Sequence, residues 1–278
     1  MMRSLILLLF AATLSFGQIL SGVVISKSAI PASGPVSGFT MHFLTDTINN
    51  LFTSVGPPPT GSVTNGSVVQ VWQDTNGGDF SWVPGSGGTW NSTGLNGKGT
   101  IVTNGTDPLR YVLNNTAQTS GKTWSDIVTS TTFTIWVALQ IDADCVADAT
   151  GLNVNALLTD IDTARFAVPY CKTVAGTTSI CARLYNGTNY DVCTPITQAA
   201  PHVVMVRRDA THLILSLDNG AEQSIATGTT DNLTGGVTLM INFGPTYWPG
   251  RVGEILVYST AENTTDVSAN WTYMLAKW

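Results

Sequence analysis

From Phe39 onward, apolar and polar positions alternate in short runs interrupted by turn residues, the pattern of strands with one face in a core. The clearest run places Phe133, Ile135, Val137, Leu139 and Ile141 on one side and Thr134, Trp136, Ala138 and Gln140 on the other, which predicts a half-buried strand over 133–141. Further β-type runs cover Val68 to Trp72, Arg110 to Leu113, His202 to Val206, His212 to Leu217, Val237 to Ile241 and Val252 to Tyr258. Asn-Gly pairs at Asn76-Gly77, Asn186-Gly187 and Asn219-Gly220 mark turns, because both residues tolerate the positive φ that a type I′ hairpin demands. Strands so spaced, with almost no helical pattern between them, predict an all-β fold, an antiparallel sandwich with a short C-terminal helix.

That helix is the last segment. Asn263, Thr264 or Thr265 caps it, Asp266 sits in the first turn where the dipole favours an anion, and Val267, Trp271, Met274, Leu275 and Trp278 recur at helical spacing. This aromatic stripe predicts a seam docked on the sandwich rather than a binding face.

Composition narrows the partners. Only 11 % of the 278 residues are charged, against about 25 % in an average soluble protein, and the net charge is −6. The longest basic cluster is the pair Arg207-Arg208, so a phosphate-tracking surface and a nucleic-acid partner are excluded. Arg3, the apolar stretch Leu5 to Leu14 and the small residues Ser15 and Gly17 predict a signal peptide over 1–17, then a flexible lead-in over 18–38 and a single domain over 39–278. The expected location is secreted or surface-exposed. A membrane contact follows only if the segment stays uncleaved, since Leu5 to Ile25 approaches the ~20 residues of a bilayer span. In an exported chain the four cysteines Cys145, Cys171, Cys181 and Cys193 predict two disulfides, with three pairings open. Eight N-x-S/T sequons, at Asn65, Asn91, Asn104, Asn114, Asn186, Asn232, Asn263 and Asn270, make the chain a candidate glycoprotein.

Three blocks resemble one family. Gly250-Arg-Val-Gly-Glu-Ile-Leu-Val-Tyr-Ser259 followed by the capped helix ending in Trp278 resembles the closing strand and helix of concanavalin A-like lectin/glucanase (laminin-G-like) domains. Val68 to Gly77 with Gly94 to Gly99, and Pro201 to Asp209 with Leu213 to Gly220, are similar to the family's opening strand with its Asn-Gly-Lys turn and to its middle hairpin. The resemblance implies a jelly roll that hosts lectins, adhesion modules and glycoside hydrolases; it does not imply which.

The candidate chemistry favours binding. A glycosidase needs two carboxylates across the scissile bond, and glucanases of this fold carry Glu-x-Asp-x-x-Glu. The three glutamates, Glu222, Glu254 and Glu262, lie outside that pattern, and a structural hydrogen bond is the expected role of Glu254. Asp142/Asp144 and Asp160/Asp162 have an i, i+2 spacing but stand at strand ends or loops. His42, His202 and His212 lack a serine elbow, a cysteine partner or a zinc set. Asp74 and Asp79 bracket a loop that would hold calcium, the one cofactor weighed, or else form an exposed hairpin turn. For glycan contact the loop aromatics Trp82, Trp90, Tyr190, Tyr247 and Trp248 are the candidates, because a sugar ring offers an apolar face to an aromatic and polar edges to amides. Trp72, Trp124 and Trp136 are expected in the core. The expected function is a non-catalytic carbohydrate-binding or adhesion domain whose partners are glycans or glycoproteins. The alternatives are a self-associating surface, coat or filament protein, and a glycoside hydrolase of the same fold.

Overall fold

The computed structural model describes residues 34–46, 48–54, 60–75, 79–82, 88–103, 111–113, 131–147, 155–160, 166–185, 188–227, 237–239 and 248–278. The predicted leader, most of the lead-in, the turns at Asn76-Gly77 and Asn186-Gly187, the sequons at Asn104, Asn114 and Asn232, and Trp124, Asp162 and Tyr247 lie outside the described residues.

The first half of the chain contributes β1 (Met41–Leu44), β2 (Leu51–Ser54), β3 (Thr60–Ser62), β4 (Val71–Gln73), β5 (Asp79–Trp82), β6 (Thr89–Leu95), β7 (Lys98–Val102), β8 (Tyr111–Leu113) and β9 (Phe133–Ile141). There follow β10 (Asn155–Ala156), β11 (Leu158–Asp160), β12 (Phe166–Val174), β13 (Thr177–Tyr185) and β14 (Asn189–Pro195). The last strands are β15 (His202–Arg208), β16 (His212–Leu217), β17 (Gln223–Ala226), β18 (Val237–Leu239) and β19 (Gly250–Tyr258), and the helix α1 (Thr264–Lys277) ends the described chain.

All pairings among the described strands are antiparallel, and they form two sheets. The eight-stranded sheet runs β17-β16-β15-β9-β19-β7-β6, with β1 also paired to β19. The eleven-stranded sheet runs β14-β13-β12-β11-β18-β8-β5-β4-β2-β3, with β10 on β12. Their facing sides share one apolar core to which Phe133, Ile135, Val137, Leu139 and Ile141 contribute from one sheet and Phe166, Val168, Ile180, Ala182 and Leu184 from the other. The predicted alternation is thus what fills the sandwich.

The prediction of a half-exposed β9 is corrected: all nine of its residues are buried. The outer side of the sheet carries a second apolar layer, in which Trp136, Ala138, Val203, Met205 and Leu256 lie under Trp271, Tyr273, Met274 and Trp278 of the helical segment. Alternation reports that one face of a strand is core; it is blind to a helix that covers the other. Asn263 is the cap, its Oδ1 accepting the Thr265 and Asp266 N–H groups at 2.9 and 3.0 Å. Asp266 lies in the first turn, as predicted. Within the expected seam Leu275 is exposed, while Asn270 and Tyr273, absent from the apolar stripe, are buried. The turn before β17 is corrected by one residue: Asp218 and Asn219 take the positive φ values, 51° and 59°, and the Gly220 N–H closes the turn on the Leu217 carbonyl.

The cysteines pair as Cys145–Cys171 and Cys181–Cys193, the second joining directly opposed residues of β13 and β14. Among the described residues no helix is long and apolar enough to cross a membrane.

Candidate functional site

The sequence-predicted aromatics do not gather into one platform. Trp248 is fully buried in the main core, which corrects its assignment as a stacking surface: no face of the ring reaches solvent. Trp90 stands in strand β6 rather than in a loop, half-buried, with its Nε1–H donated to the Thr45 carbonyl at 3.0 Å. Its ring occupies the space above Gly99, where a Cβ would come within 2.8 Å of Nε1. Trp82 is likewise a strand residue, opposite Tyr111 in β8, and its side chain lies outside the described residues. Tyr190 is half-buried in β14, opposite Leu184.

Asp74 is not an exposed turn residue. It is 3 % exposed, bridges to Phe43 and accepts the His42 backbone N–H at 2.7 Å, while the side chain of Asp79 lies outside the described residues. Among the described residues no group of three or more His, Cys, Asp or Glu is arranged to hold a metal ion. Of the acids weighed for hydrolysis, Asp142 and Asp144 are occupied, while the side chain of Asp160 lies outside the described residues. Asp142 accepts from Arg251 Nε at 2.8 Å and from Gln140, and Asp144 accepts from Gln198 at 2.8 Å.

Polar chemistry collects elsewhere, in a hollow of about 210 Å³ on the outer side of the eight-stranded sheet. Its walls are Arg207 on β15, Ser216 on β16, Asn219, Gly220 and Glu222 from the following turn, and Thr264, Val267, Ser268 and Trp271 from the start of α1. Strand parity explains the arrangement. Val203 and Met205 fill the outer layer under the helix, so Arg207, two residues on, emerges where the helix begins. Arg207 Nη2 donates to both oxygens of Glu222 at 3.3 and 3.2 Å, and its Nη1 reaches the Glu262 carbonyl at 3.5 Å. Ser216 Oγ donates to the Gly220 carbonyl at 2.9 Å and so ties down the turn that carries Glu222. Trp271 is held edge-to-face against Trp136, with ring centroids 4.8 Å apart.

Two buried glutamates fix the helix that forms one wall of the hollow. Glu262 accepts Trp136 Nε1–H and Asn270 Nδ2–H, both at 2.6 Å. Burial, reinforced by the nearby charge of Asp266, outweighs these donors and pushes its pKa up to about 7. Glu254, the residue expected to make a structural hydrogen bond, accepts four: from His42 Nε2 at 2.7 Å, Tyr273 Oη at 2.8 Å, Trp278 Nε1 at 2.6 Å and Lys277 Nζ at 3.0 Å. Burial by itself would raise its pKa, but the His42 bond and the Lys277 charge hold it below the ordinary carboxylate value.

A further polar cluster lies on the outer side of the other sheet. Arg183 spans both oxygens of Asp191 at 2.6 and 2.7 Å and lies over the Tyr170 ring, 4.9 Å from its centroid. With Arg183 only 2 % exposed, this cluster clamps the β13–β14 hairpin beside Cys181–Cys193 rather than facing a ligand.

Sequence reasoning missed the hollow. Its walls come from β15, β16, the turn before β17 and α1, and no segment carries a local motif. The available signals were Arg207 breaking an apolar run and Glu222 two residues after the Asn219-Gly220 pair.

The two antiparallel sheets, closed on one outer face by α1, define an all-β sandwich. Among solved structures it is similar to Trypanosoma rangeli sialidase in complex with the inhibitor DANA, at 14 % identity and a TM-score of 0.52, covering 88 % of this chain and 34 % of that one. It is also similar to domain 4 of AbnA, a GH43 extracellular arabinanase from Geobacillus stearothermophilus, solved in complex with arabinotriose. That match has 13 % identity and a TM-score of 0.51, covering 86 % of this chain and 98 % of the domain. The botulinum neurotoxin serotype G binding domain matches at 9 % identity and a TM-score of 0.53, covering 86 % of this chain and 51 % of that one. The chain therefore spans about a third of the sialidase and about half of the toxin domain. At these identities the likeness carries fold alone. No family model matches the chain, and no curated protein matches it.

Proposed function

We propose that this chain is a non-catalytic carbohydrate-recognition or adhesion domain of the concanavalin A-like jelly-roll class, secreted or displayed on a surface. The observation that carries the reading is the hollow between β15, β16 and α1, where a guanidinium, a carboxylate, an amide and hydroxyls converge. Saccharide recognition uses such polar groups, since ring hydroxyls both donate and accept. The similarity to an arabinanase domain solved with arabinotriose supports the reading at the level of fold. Two disulfides fit an oxidising, extracellular setting. The internal pairing of Asp142 and Asp144 supports binding without hydrolysis.

The test is a glycan-array screen of the secreted chain, followed by calorimetric titration of the hits on wild type and on Arg207→Ala and Glu222→Gln variants that keep the native circular dichroism spectrum. A defined hit weakened tenfold or more in both variants is expected. A folded wild type that binds no glycan overturns the function, and full binding by both variants overturns the site.

A further inference from the structure

We infer that the hollow takes a single neutral saccharide unit, gripped through two adjacent hydroxyls by Glu222, and that it discriminates against acidic sugars. The inference rests on the carbohydrate reading above and specifies the ligand of that same site.

Size sets the first limit. A hollow of about 210 Å³ lies below the ~300 Å³ at which pockets for drug-sized ligands begin, so it accommodates one ring rather than a run of them.

Charge sets the second. Among the described residues Arg207 is the one cation lining the hollow, and both oxygens of Glu222 already engage its Nη2. Asp266 stands in the first helical turn, and the Glu262 carboxyl lies behind the wall on Trp136 and Asn270. At the helix N-terminus, the feature that would otherwise attract an anion, Asn263 Oδ1 already takes the Thr265 and Asp266 N–H groups. An incoming carboxylate would meet a guanidinium already paired with the Glu222 carboxylate.

Donor chemistry sets the third. Glu222 is anchored through one guanidinium nitrogen, and its side chain is 45 % exposed, which leaves acceptor capacity on both oxygens. A carboxylate presenting two acceptors side by side matches two hydroxyls on neighbouring carbons. Asn219 and Ser268, both exposed on the rim, supply groups that donate or accept to the rest of the ring. No step of this recognition requires a metal.

The experiment titrates the full secreted chain by calorimetry with pairs of oligosaccharides that differ only at the terminal unit, galactose against galacturonic acid and glucose against glucuronic acid, with and without EDTA. At least one neutral member is expected to bind ten times more tightly than its acidic counterpart, unchanged by EDTA. Glu222→Gln should weaken the neutral ligand tenfold or more and narrow the preference. Ser268→Trp, an exposed substitution that fills the hollow, should abolish binding while the fold persists. Equal or tighter binding of the acidic members overturns this inference and leaves the carbohydrate reading standing. Loss of binding in EDTA also overturns it. Absence of binding to every saccharide, in a folded sample, overturns both.

Discussion

Glu254→Ala tests the physical account of how the helix is held. The carboxylate is fully buried and receives His42 Nε2 and Tyr273 Oη on one oxygen and Trp278 Nε1 and Lys277 Nζ on the other. Lys277 keeps a second partner in Asp46 at 3.2 Å, so its charge is not stranded by the substitution. The indole N–H and the phenol are left in a dry layer, each costing about 1–3 kcal/mol as an unsatisfied donor. Removing one member of a buried charged set costs about 3–5 kcal/mol, and the two routes agree on about 4 kcal/mol. For a domain of this size that corresponds to a fall in Tm of roughly 8–16 °C. Urea denaturation followed by tryptophan fluorescence measures the free energy, and calorimetry the melting temperature.

The pH dependence gives an independent check. A carboxylate whose folded pKa is depressed stabilises fully above its unfolded value, here 4.5, and that contribution is lost as pH falls through the folded pKa. Wild type should therefore lose stability on acidification below about pH 4.5 more steeply than Glu254→Gln, in which the group cannot titrate. A cost under about 1 kcal/mol for Glu254→Ala, with identical acid limbs for wild type and Glu254→Gln, would refute the claim that this carboxylate docks the helix.

The other buried acid predicts the opposite sign. Glu262 titrates near 7 when folded against 4.5 in its ordinary state, so its contribution to stability falls as pH rises from about 4.5 to 7; a Glu262→Gln series of urea midpoints should lack that decline. Gly250→Ala should cost about 3 kcal/mol, because a Cβ would lie 2.0 Å from the Gln140 carbonyl oxygen and force β19 away from β9; a midpoint shift equivalent to less than about 1 kcal/mol contradicts it. Replacing Cys145 and Cys171 by alanine opens a 26-residue loop and should cost about 3.5 kcal/mol in denaturant, without change in the native spectrum. His202 carries a raised pKa because Asp218 and the Thr197 carbonyl, both on its ring nitrogens, outweigh burial. Its stabilisation is complete below 6.5 and is lost as pH rises through the raised value; Asp218→Asn should lower the imidazole pKa read by NMR.

What the sequence determined by itself was the local conformation and one face of each element. Alternation at Phe133 to Ile141 located β9 and its core side, Leu213 to Leu217 lies within the predicted strand, and Asn263 with Asp266 set where α1 begins. These are short-range effects: side-chain direction alternates along a strand, and a cap satisfies amides two and three residues away. Four cysteines announced two disulfides, but the pairing had to wait for the register that sets Cys181 opposite Cys193. Tertiary structure alone decided what covers each face. Trp248 has turn-like neighbours in the chain and was expected to meet a ligand, yet it is core, because segments distant in sequence enclose it. Asn270 and Tyr273 interrupt an apolar stripe and are buried all the same, since Glu262 and Glu254 beneath the helix accept their hydrogen bonds. The hollow shows the limit most clearly. Arg207, Ser216, Glu222 and Trp271 span 65 residues of chain and meet only where the helix crosses the sheet, so no window of sequence holds the site. Recognition chemistry built from single residues of four elements leaves no periodic trace, and only packing brings it together.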